Sequence, residues 1–210
     1  VKVRQAIAYA INRAALLKAM QDGQGEITNQ PFAKTSPAYD TALDKSYPFD
    51  IKKAKQLLTE GNASGGFDLA MAAWPDPTMR AVLSDQLSKS GITLNWVSVP
   101  VADYRNQLKA SKWAMGVFQL GLAAQTPWVT INFLAAPNAS WNVFKSTDPV
   151  IAGALDSINK NQSEKNVVAQ AKIINKFLID QAWFIPFYQL PQLYFTNSKV
   201  KTANSVANAI

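Results

Sequence analysis

Three short apolar runs alternate with helix-like segments between residues 67 and 120, and this order constrains the fold more than any other feature of the sequence. In the first run, residues 67–74, large apolar side chains alternate with Asp68 and alanines, which is the period of a half-buried strand. Residues 92–99 and 114–120 form the second and third runs. Strand, helix, strand, helix, strand at these lengths predicts successive right-handed crossovers. We therefore expect an α/β fold with a mostly parallel sheet flanked by helices.

Capping residues mark where the helices begin and end. Asp76 followed by Pro77 predicts an N-cap and a first-turn proline for a helix that ends at Gly91. Asp50 and Gly61 predict the two ends of an earlier helix. Its inward face consists of Ala54, Leu57 and Leu58. Further helices are expected to begin at Asp103, Asp148 and Ser163.

Two segments show no sustained period. Residues 23–47 are rich in Gly, Pro, Ser and Thr, and we interpret them as a long ordered loop. Residues 121–146 are aromatic and poor in helical period. This pattern is typical either of a functional loop or of a region whose secondary structure the sequence hides.

The residue types present disfavour catalysis. The chain has no Cys and no His, so it lacks thiol nucleophiles, the usual general base at neutral pH and the preferred ligands of zinc, copper and nickel. Asp68 and Asp76 do not form a glycosidase-type carboxylate pair, because one lies in a predicted strand and the other at a predicted cap. P-loop, dinucleotide-binding and nucleophile-elbow motifs do not occur. We therefore expect that the protein is not an enzyme and that it has no catalytic residue, no cofactor and no metal site.

The net charge of +7 leaves a second class of function open. A basic α/β module that binds nucleic acid or an anionic membrane surface is one such function, and its affinity would fall steeply with salt. The basic residues are spread thinly, and no run of five or more occurs. A dispersed positive surface without a nucleic-acid partner is the simpler interpretation.

Residues 3–17, VRQAIAYAINRAALL, have the apolar spacing of an amphipathic helix. The apolar stripe consists of Val3, Ile7, Ala10, Ile11, Ala14 and Leu17. The same letters resemble the VRQAL-x-YAI-[DN]-R motif of the family 5 solute-binding proteins of ABC transporters. That family includes the dipeptide-, oligopeptide- and nickel-binding receptors.

Four further segments resemble motifs of this family in the same order. They are PFAKTSPAYD, YPFDIKKAKQLL, QLSKSGITLNWVSV and FIPFYQLPQLYF, the last resembling a closing strand at residues 184–195. The resemblance runs from residue 1 to about residue 201. It implies that residues 1–210 form a single type II periplasmic-binding-protein-like lobe, the C-terminal, ligand-closing lobe of a larger two-lobed protein whose N-terminal lobe is absent from this sequence.

The resemblance also implies a function and a location. The family captures a peptide-like or other small solute between two lobes and delivers it to the permease subunits of an ABC importer. We accordingly expect a monomer in the periplasm or at the outer face of the cytoplasmic membrane, with no signal segment in this sequence. Nickel binding is a rival within the family, but a lobe without His is poorly suited to ligate the metal directly.

In the family, loops at the ends of the parallel strands line the ligand cleft, as in open α/β sheets generally. The resemblance places the ligand-binding residues at the end of the third predicted strand and in the loop after it, at Gln119, Gly121, Gln125, Trp128, Trp141 and Asn142. The amide side chains offer donors and acceptors, and the two tryptophans either stack on the ligand or pack beneath the loop. Trp74 and Asp76 form a second candidate patch, for which a strand exit and a helix cap are the favoured interpretation.

The loop departs from the peptide-binding members of the family. Peptide-binding members that resemble this chain usually have a G-W-x-x-D-[YF]-x-[DN]-P segment after this strand, and its Asp pairs with the α-amine of the peptide. This chain reads LGLAAQTPWVT, and no Asp or Glu occurs between Asp103 and Asp148. A buried ammonium without a partner is strongly unfavourable. We predict that this lobe does not clamp a free peptide N-terminus and that a neutral, anionic or blocked ligand fits better, unless the N-terminal lobe provides the carboxylate.

Overall fold

The computed structural model describes residues 1–121, 126–190, 197 and 199. Its helices are α1 Lys2–Ala10, α2 Arg13–Gln21, α3 Ile51–Glu60, α4 Pro77–Ser88, α5 Val101–Lys109, α6 Pro127–Leu134, α7 Pro149–Lys160 and α8 Glu164–Asp180, with a 3₁₀ turn at Leu43–Lys45. Its strands are β1 Glu26–Ile27, β2 Phe67–Ala72, β3 Ile92–Val97 and β4 Tyr188–Gln189.

The α/β class is confirmed, with a smaller sheet than the sequence suggested. Strands β2 and β3 pair in parallel from Phe67 opposite Ile92 to Ala72 opposite Val97. The connection between them is α4, which packs on β3. Strands β1 and β4 form a separate antiparallel pair. The described residues thus hold two two-stranded sheets, of which one is parallel.

The prediction of a third strand over residues 114–120 was wrong. The backbone there forms no ladder with β2 or β3. Instead the segment inserts apolar side chains into the interior, with Val117 buried and its carbonyl accepting a hydrogen bond from the Tyr104 hydroxyl. An apolar run of this length is equally compatible with a strand and with buried irregular chain, because burial alone produces it.

The helix predicted over residues 3–17 is in fact two helices. The chain leaves α1 at Ile11 and restarts at Asn12, whose side chain accepts a hydrogen bond from the Ala15 amide at 3.0 Å. The Gln86 side chain fills the gap, because it accepts from the Asn12 N–H and donates to the Asn12 carbonyl, at 2.9 and 3.2 Å. Both helices bury an apolar face, but the predicted stripe does not continue unchanged across the break, because Ala14 is exposed and Leu16, which lies outside the predicted stripe, is buried.

The loop predictions also need correction. Residues 23–47 contain β1 and the 3₁₀ turn, and residues 121–146 contain α6. The predicted closing strand at residues 184–195 is reduced to β4, and residues 191–195 lie outside the described part. Helix α5 begins at Val101, two residues before Asp103.

Most predicted helix starts are confirmed by their caps. Asp50 accepts from the Lys53 amide, and Asp148 accepts from the Val150 amide, both at 2.9 Å. Asp76 accepts from two backbone amides at the start of α4, which ends at Ser88, slightly before the expected glycine. Such caps satisfy N–H groups that the first helical turn leaves unpaired.

Four apolar clusters form the interior of the described residues, and the smallest contains Ala8, Tyr47, Ile179 and Ala182. The largest joins β2 and β3 to α1, α2, α3 and α4. A second lies among α6, α7 and α8. The third contains Ala72, Tyr104, Leu108, Leu134 and Trp141, and it lies between the first two, where β2 ends. No helix within the described residues is long and apolar enough to span a bilayer.

Candidate functional site

A cavity of about 380 Å³ lies at the carboxyl ends of the two parallel strands. It is lined by Trp74, Tyr104, Arg105, Phe118, Gln119, Gly121 and Trp141. Trp74 follows the end of β2, and α5, which carries Tyr104, follows the end of β3. The residues after β2 and β3 therefore meet the irregular segment before Gly121, in the position where open α/β sheets bind ligands.

Aromatic rings form the walls of this cavity. Phe118 stacks on Trp141 with ring centroids 4.5 Å apart and planes at 12°. Trp74 meets Tyr104 edge to face, with centroids 5.6 Å apart. Trp141 is only 5% exposed, whereas Trp74 and Phe118 are half-buried. The rings accessible to a ligand are therefore mainly those of Trp74 and Phe118.

Tyr104 contributes its ring and not its hydroxyl. The hydroxyl donates to the Val117 carbonyl at 2.5 Å, so its proton is already used inside the protein. Burial raises the pKa of Tyr104 to about 12, and the phenol is neutral at physiological pH. Tyr104 thereby fixes the segment that carries Phe118 against α5.

Two cations lie over the Trp141 ring. The Arg105 guanidinium carbon is 5.8 Å from the ring centroid, and the Lys109 ammonium is 5.4 Å from it. Both distances are within the range of cation–π attraction. Arg105 also lines the cavity, so its guanidinium gives the rim a positive charge.

Residues 1–142 match the family model for bacterial extracellular solute-binding proteins, family 5 Middle. The chain belongs to this family. Heme-binding protein A of Haemophilus influenzae is 30% identical to it over 205 residues, which cover 89% of this chain and 36% of that protein. The expected family is thus confirmed.

Solved structures of the family share the fold. The structure of HbpA2 from Haemophilus parasuis has a TM-score of 0.80 at 21% identity, covering 90% of this chain and 39% of that chain. DppA from Helicobacter pylori, an ABC transporter-associated periplasmic binding protein in complex with the peptide STSA, also has a TM-score of 0.80 at 21% identity, covering 89% and 38%. The type II periplasmic-binding-protein-like fold is therefore confirmed, and this family 5 chain spans less than 40% of each of these relatives.

The cavity of this family 5 chain includes three of the residues predicted to bind ligand. Gln119, Gly121 and Trp141 line it, and a Cβ at Gly121 would meet open space. Trp141 is held between Phe118 and the two cations, so packing accounts for most of its surface.

Two of the other predicted residues, Trp128 and Asn142, do not line this cavity. Trp128 is half-buried and packs on the cluster of α6, α7 and α8. Asn142 donates to the carbonyls of Ala136 and Ser146 and accepts from the Ser146 amide, so its side chain holds a loop together. Gln125 lies outside the described residues.

Sequence reasoning named Trp74 in a second candidate patch but favoured a structural role for it, and it did not single out Tyr104, Arg105 and Phe118. Trp74 lines the cavity even though its neighbour Asp76 is a helix cap, as predicted. A sequence signal did exist for Arg105, because Arg105 and Lys109 occupy one face of a helix that starts directly after a strand. Phe118 gave no such signal, since its segment was interpreted as a strand.

The described part of the chain offers no cluster of three or more His, Cys, Asp or Glu side chains that would hold a metal ion. A second groove, of about 490 Å³, lies between α2 and α4 and includes Asn12, Phe49 and Lys89. It is the larger of the two, but it lacks the ring walls of the first and does not lie at the strand ends. We take the aromatic cavity as the candidate ligand site.

Proposed function

We propose that this chain is the ligand-closing lobe of the substrate-binding component of an ABC importer. The observation that carries the proposal is the aromatic cavity at the carboxyl ends of β2 and β3, in a chain of family 5. Residues 1–210 act in this proposal as one lobe, which agrees with the share of its relatives that the chain spans. The protein binds and releases its solute without turnover.

The proposed mechanism is hinge closure. A solute held by the aromatic cavity contacts a second lobe, and the contacts made to both lobes shift the population toward the closed form. The membrane permease then recognises that closed form on the extracytoplasmic side. Because one lobe makes only part of the contacts, this chain alone binds solute weakly.

The chemistry of the cavity supports a solute with an apolar or planar part and no requirement for a free α-amine. Trp74 and Phe118 offer ring surface, and Gln119 offers an exposed amide. The described lining contains no carboxylate that would pair with an ammonium. Heme-binding protein A is named for a planar ligand with carboxylates, which is compatible with such a lining.

Native mass spectrometry of the full-length protein, isolated gently from its own host, tests the proposal. We expect a co-purifying small molecule that is lost from a Phe118→Ala variant and retained by Phe49→Ala. Phe49 is 46% exposed and lines the other groove, so it is a matched control for removal of an exposed ring. Thermal unfolding of both variants checks that the fold is intact.

Two results would contradict parts of this proposal. Loss of the solute from Phe49→Ala alone would move the binding site to the groove between α2 and α4. A co-purifying peptide whose free N-terminus is required for binding would refute the prediction about the α-amine.

A further inference from the structure

The face of α5 above the aromatic cavity carries two like charges side by side. Arg105 and Lys109 are four residues apart, a spacing that places both side chains on one face of a helix. Both lie over the same Trp141 ring, at 5.8 and 5.4 Å. Two cations at this spacing repel each other, so the arrangement is unfavourable unless an anion lies nearby.

Three lysines on other helices pair with an aspartate at this spacing. Lys89 pairs with Asp85 on α4, Lys160 with Asp156 on α7, and Lys176 with Asp180 on α8. Lys172 of α8 lies four residues before Lys176, but Lys176 has Asp180 as its partner. On α5 the residue four positions before the lysine is an arginine.

An acidic partner from elsewhere does not replace the missing neighbour. None of the ion pairs formed among the described residues includes Arg105 or Lys109. Asp103 is two residues from Arg105, a spacing at which helical side chains do not face each other. The next acidic residue along the chain is Asp148.

The ring beneath the cations fixes their position. Trp141 is 5% exposed and stacks on Phe118, so it is a rigid base for both charges. Arg105 lines the cavity beside Gln119, while Trp74 and Phe118 supply apolar wall. A planar guanidinium at such a rim suits a carboxylate, because the two groups form parallel hydrogen bonds.

We propose that the cavity selects solutes in which a carboxylate is attached to a planar apolar body, with Arg105 as the specificity-determining residue. The planar body lies against Trp74 and Phe118, and the carboxylate accepts hydrogen bonds from Arg105. Lys109 adds positive potential without lining the cavity. This inference rests on the proposed function, which assigns solute binding to the same cavity.

Three matched probes test the selection on the full-length protein. They are 1-naphthylacetate, 1-naphthylacetamide and 1-naphthylmethylammonium, which share a planar body and differ in charge. Their dissociation constants are measured by ligand-observed NMR titration at low salt. We expect 1-naphthylacetate to bind about fivefold more tightly than the amide, the size of a charge-assisted hydrogen bond at a partly exposed site. The ammonium probe binds most weakly.

Variants assign the preference to Arg105. Arg105→Gln should weaken the acetate about fivefold, to the level of the amide, and leave the amide unchanged. Lys52→Gln removes the same charge from the exposed surface of α3 and should change neither. Raising the salt concentration should reduce the preference for the acetate.

The outcomes separate this inference from the proposed function. If the acetate and the amide bind alike, or if the preference survives in Arg105→Gln, the inference is wrong. Phe118→Ala then decides the rest, because weaker binding of every probe leaves the cavity as the solute site, whereas unchanged binding removes both proposals. Absence of binding by all probes at about 10 mM also overturns the inference, because the binding efficiency per atom of small ligands predicts roughly millimolar affinity for probes of this size.

Discussion

Arg13, the last letter of the VRQAIAYAINR motif, joins three separate parts of the chain. It is 5% exposed at the start of α2. Its Nε donates to the Pro186 carbonyl at 2.8 Å, and its Nη1 donates to the carbonyls of Ala8 and Tyr47 at 3.2 and 3.1 Å. We predict that Arg13→Met strongly destabilises the fold.

The contacts give the magnitude of the loss. Burial lowers the pKa of Arg13 to about 10, so the guanidinium still carries its charge at neutral pH. Each hydrogen bond from a charged donor contributes about 1.5–3 kcal/mol net, and the cost of burying the charge offsets part of the sum of three. We expect a loss of about 3–5 kcal/mol for Arg13→Met. Arg13→Lys keeps the charge but cannot span the three carbonyls, and should lose less.

Arg4→Met is the matched control, because Arg4 is an exposed arginine on α1 with one hydrogen bond, from Nε to the Gln181 carbonyl at 2.9 Å. It should lose less than about 1 kcal/mol. Urea unfolding of the full-length protein, followed by hydrogen exchange on peptides from α1, α2 and α8, measures both variants. With a slope of about 2 kcal/mol per M, Arg13→Met should lower the midpoint by about 1.5–2.5 M. A midpoint shift no larger than that of Arg4→Met would refute the reasoning.

Two further predictions concern stability. At Gly66 φ is +74°, and an added Cβ would lie 2.1 Å from the Gly91 carbonyl oxygen, so Gly66→Ala should lower the free energy of unfolding by about 3 kcal/mol or more. Gly153 lies in the middle of α7, where an added Cβ would meet open space, so Gly153→Ala should raise the free energy of unfolding by about 0.5–1 kcal/mol. Urea midpoints of the two variants check both signs. Burial raises the pKa of Tyr47 and Tyr104 from the ordinary 10 to about 12. Because the folded-state pKa is the higher one, this stabilisation is complete below pH 10 and is lost as the pH rises through 12, and we expect urea midpoints to fall over that range. Burial also raises the pKa of Tyr39 and Tyr188, so these two tyrosines should likewise ionise late in the phenolate absorbance of the folded protein. Tyr47 and Tyr104 should ionise only near pH 12, and their ionisation near pH 10 would contradict the burial argument.

The sequence predicted the features of the fold that depend on local chemistry. Asp50, Asp76 and Asp148 each accept a hydrogen bond from a backbone amide a few residues ahead, so capping needs no information from distant parts of the chain. The break between α1 and α2 was not predicted because it is stabilised by Gln86, a residue 74 positions away. The apolar run before Gly121 was mistaken for a strand because its burial comes from contacts with α5 and the aromatic cluster.

The sequence predicted where in the fold the candidate site lies, but it did not predict the full set of residues that line the cavity. The rule that ligands bind at the carboxyl ends of parallel strands pointed to Gln119 and Gly121, and both line the cavity, whose role as the ligand site stays a prediction. Trp74, Arg105 and Phe118 come from three different segments, and only the packing of α5 on β2 brings them together. The prediction for Asn142 relied on its side-chain amide being available to a ligand. Both the nitrogen and the oxygen of that amide form hydrogen bonds within the loop instead.

Hydrogen exchange of the full-length protein with and without its co-purified solute tests the central claim most directly. The claim is that solute binds in the cavity at the carboxyl ends of β2 and β3. We predict that solute slows exchange in peptides covering residues 99–121 and 126–142, and leaves exchange in α7 unchanged. Protection confined to the groove between α2 and α4, with none at α5 or the segment before Gly121, would contradict the account.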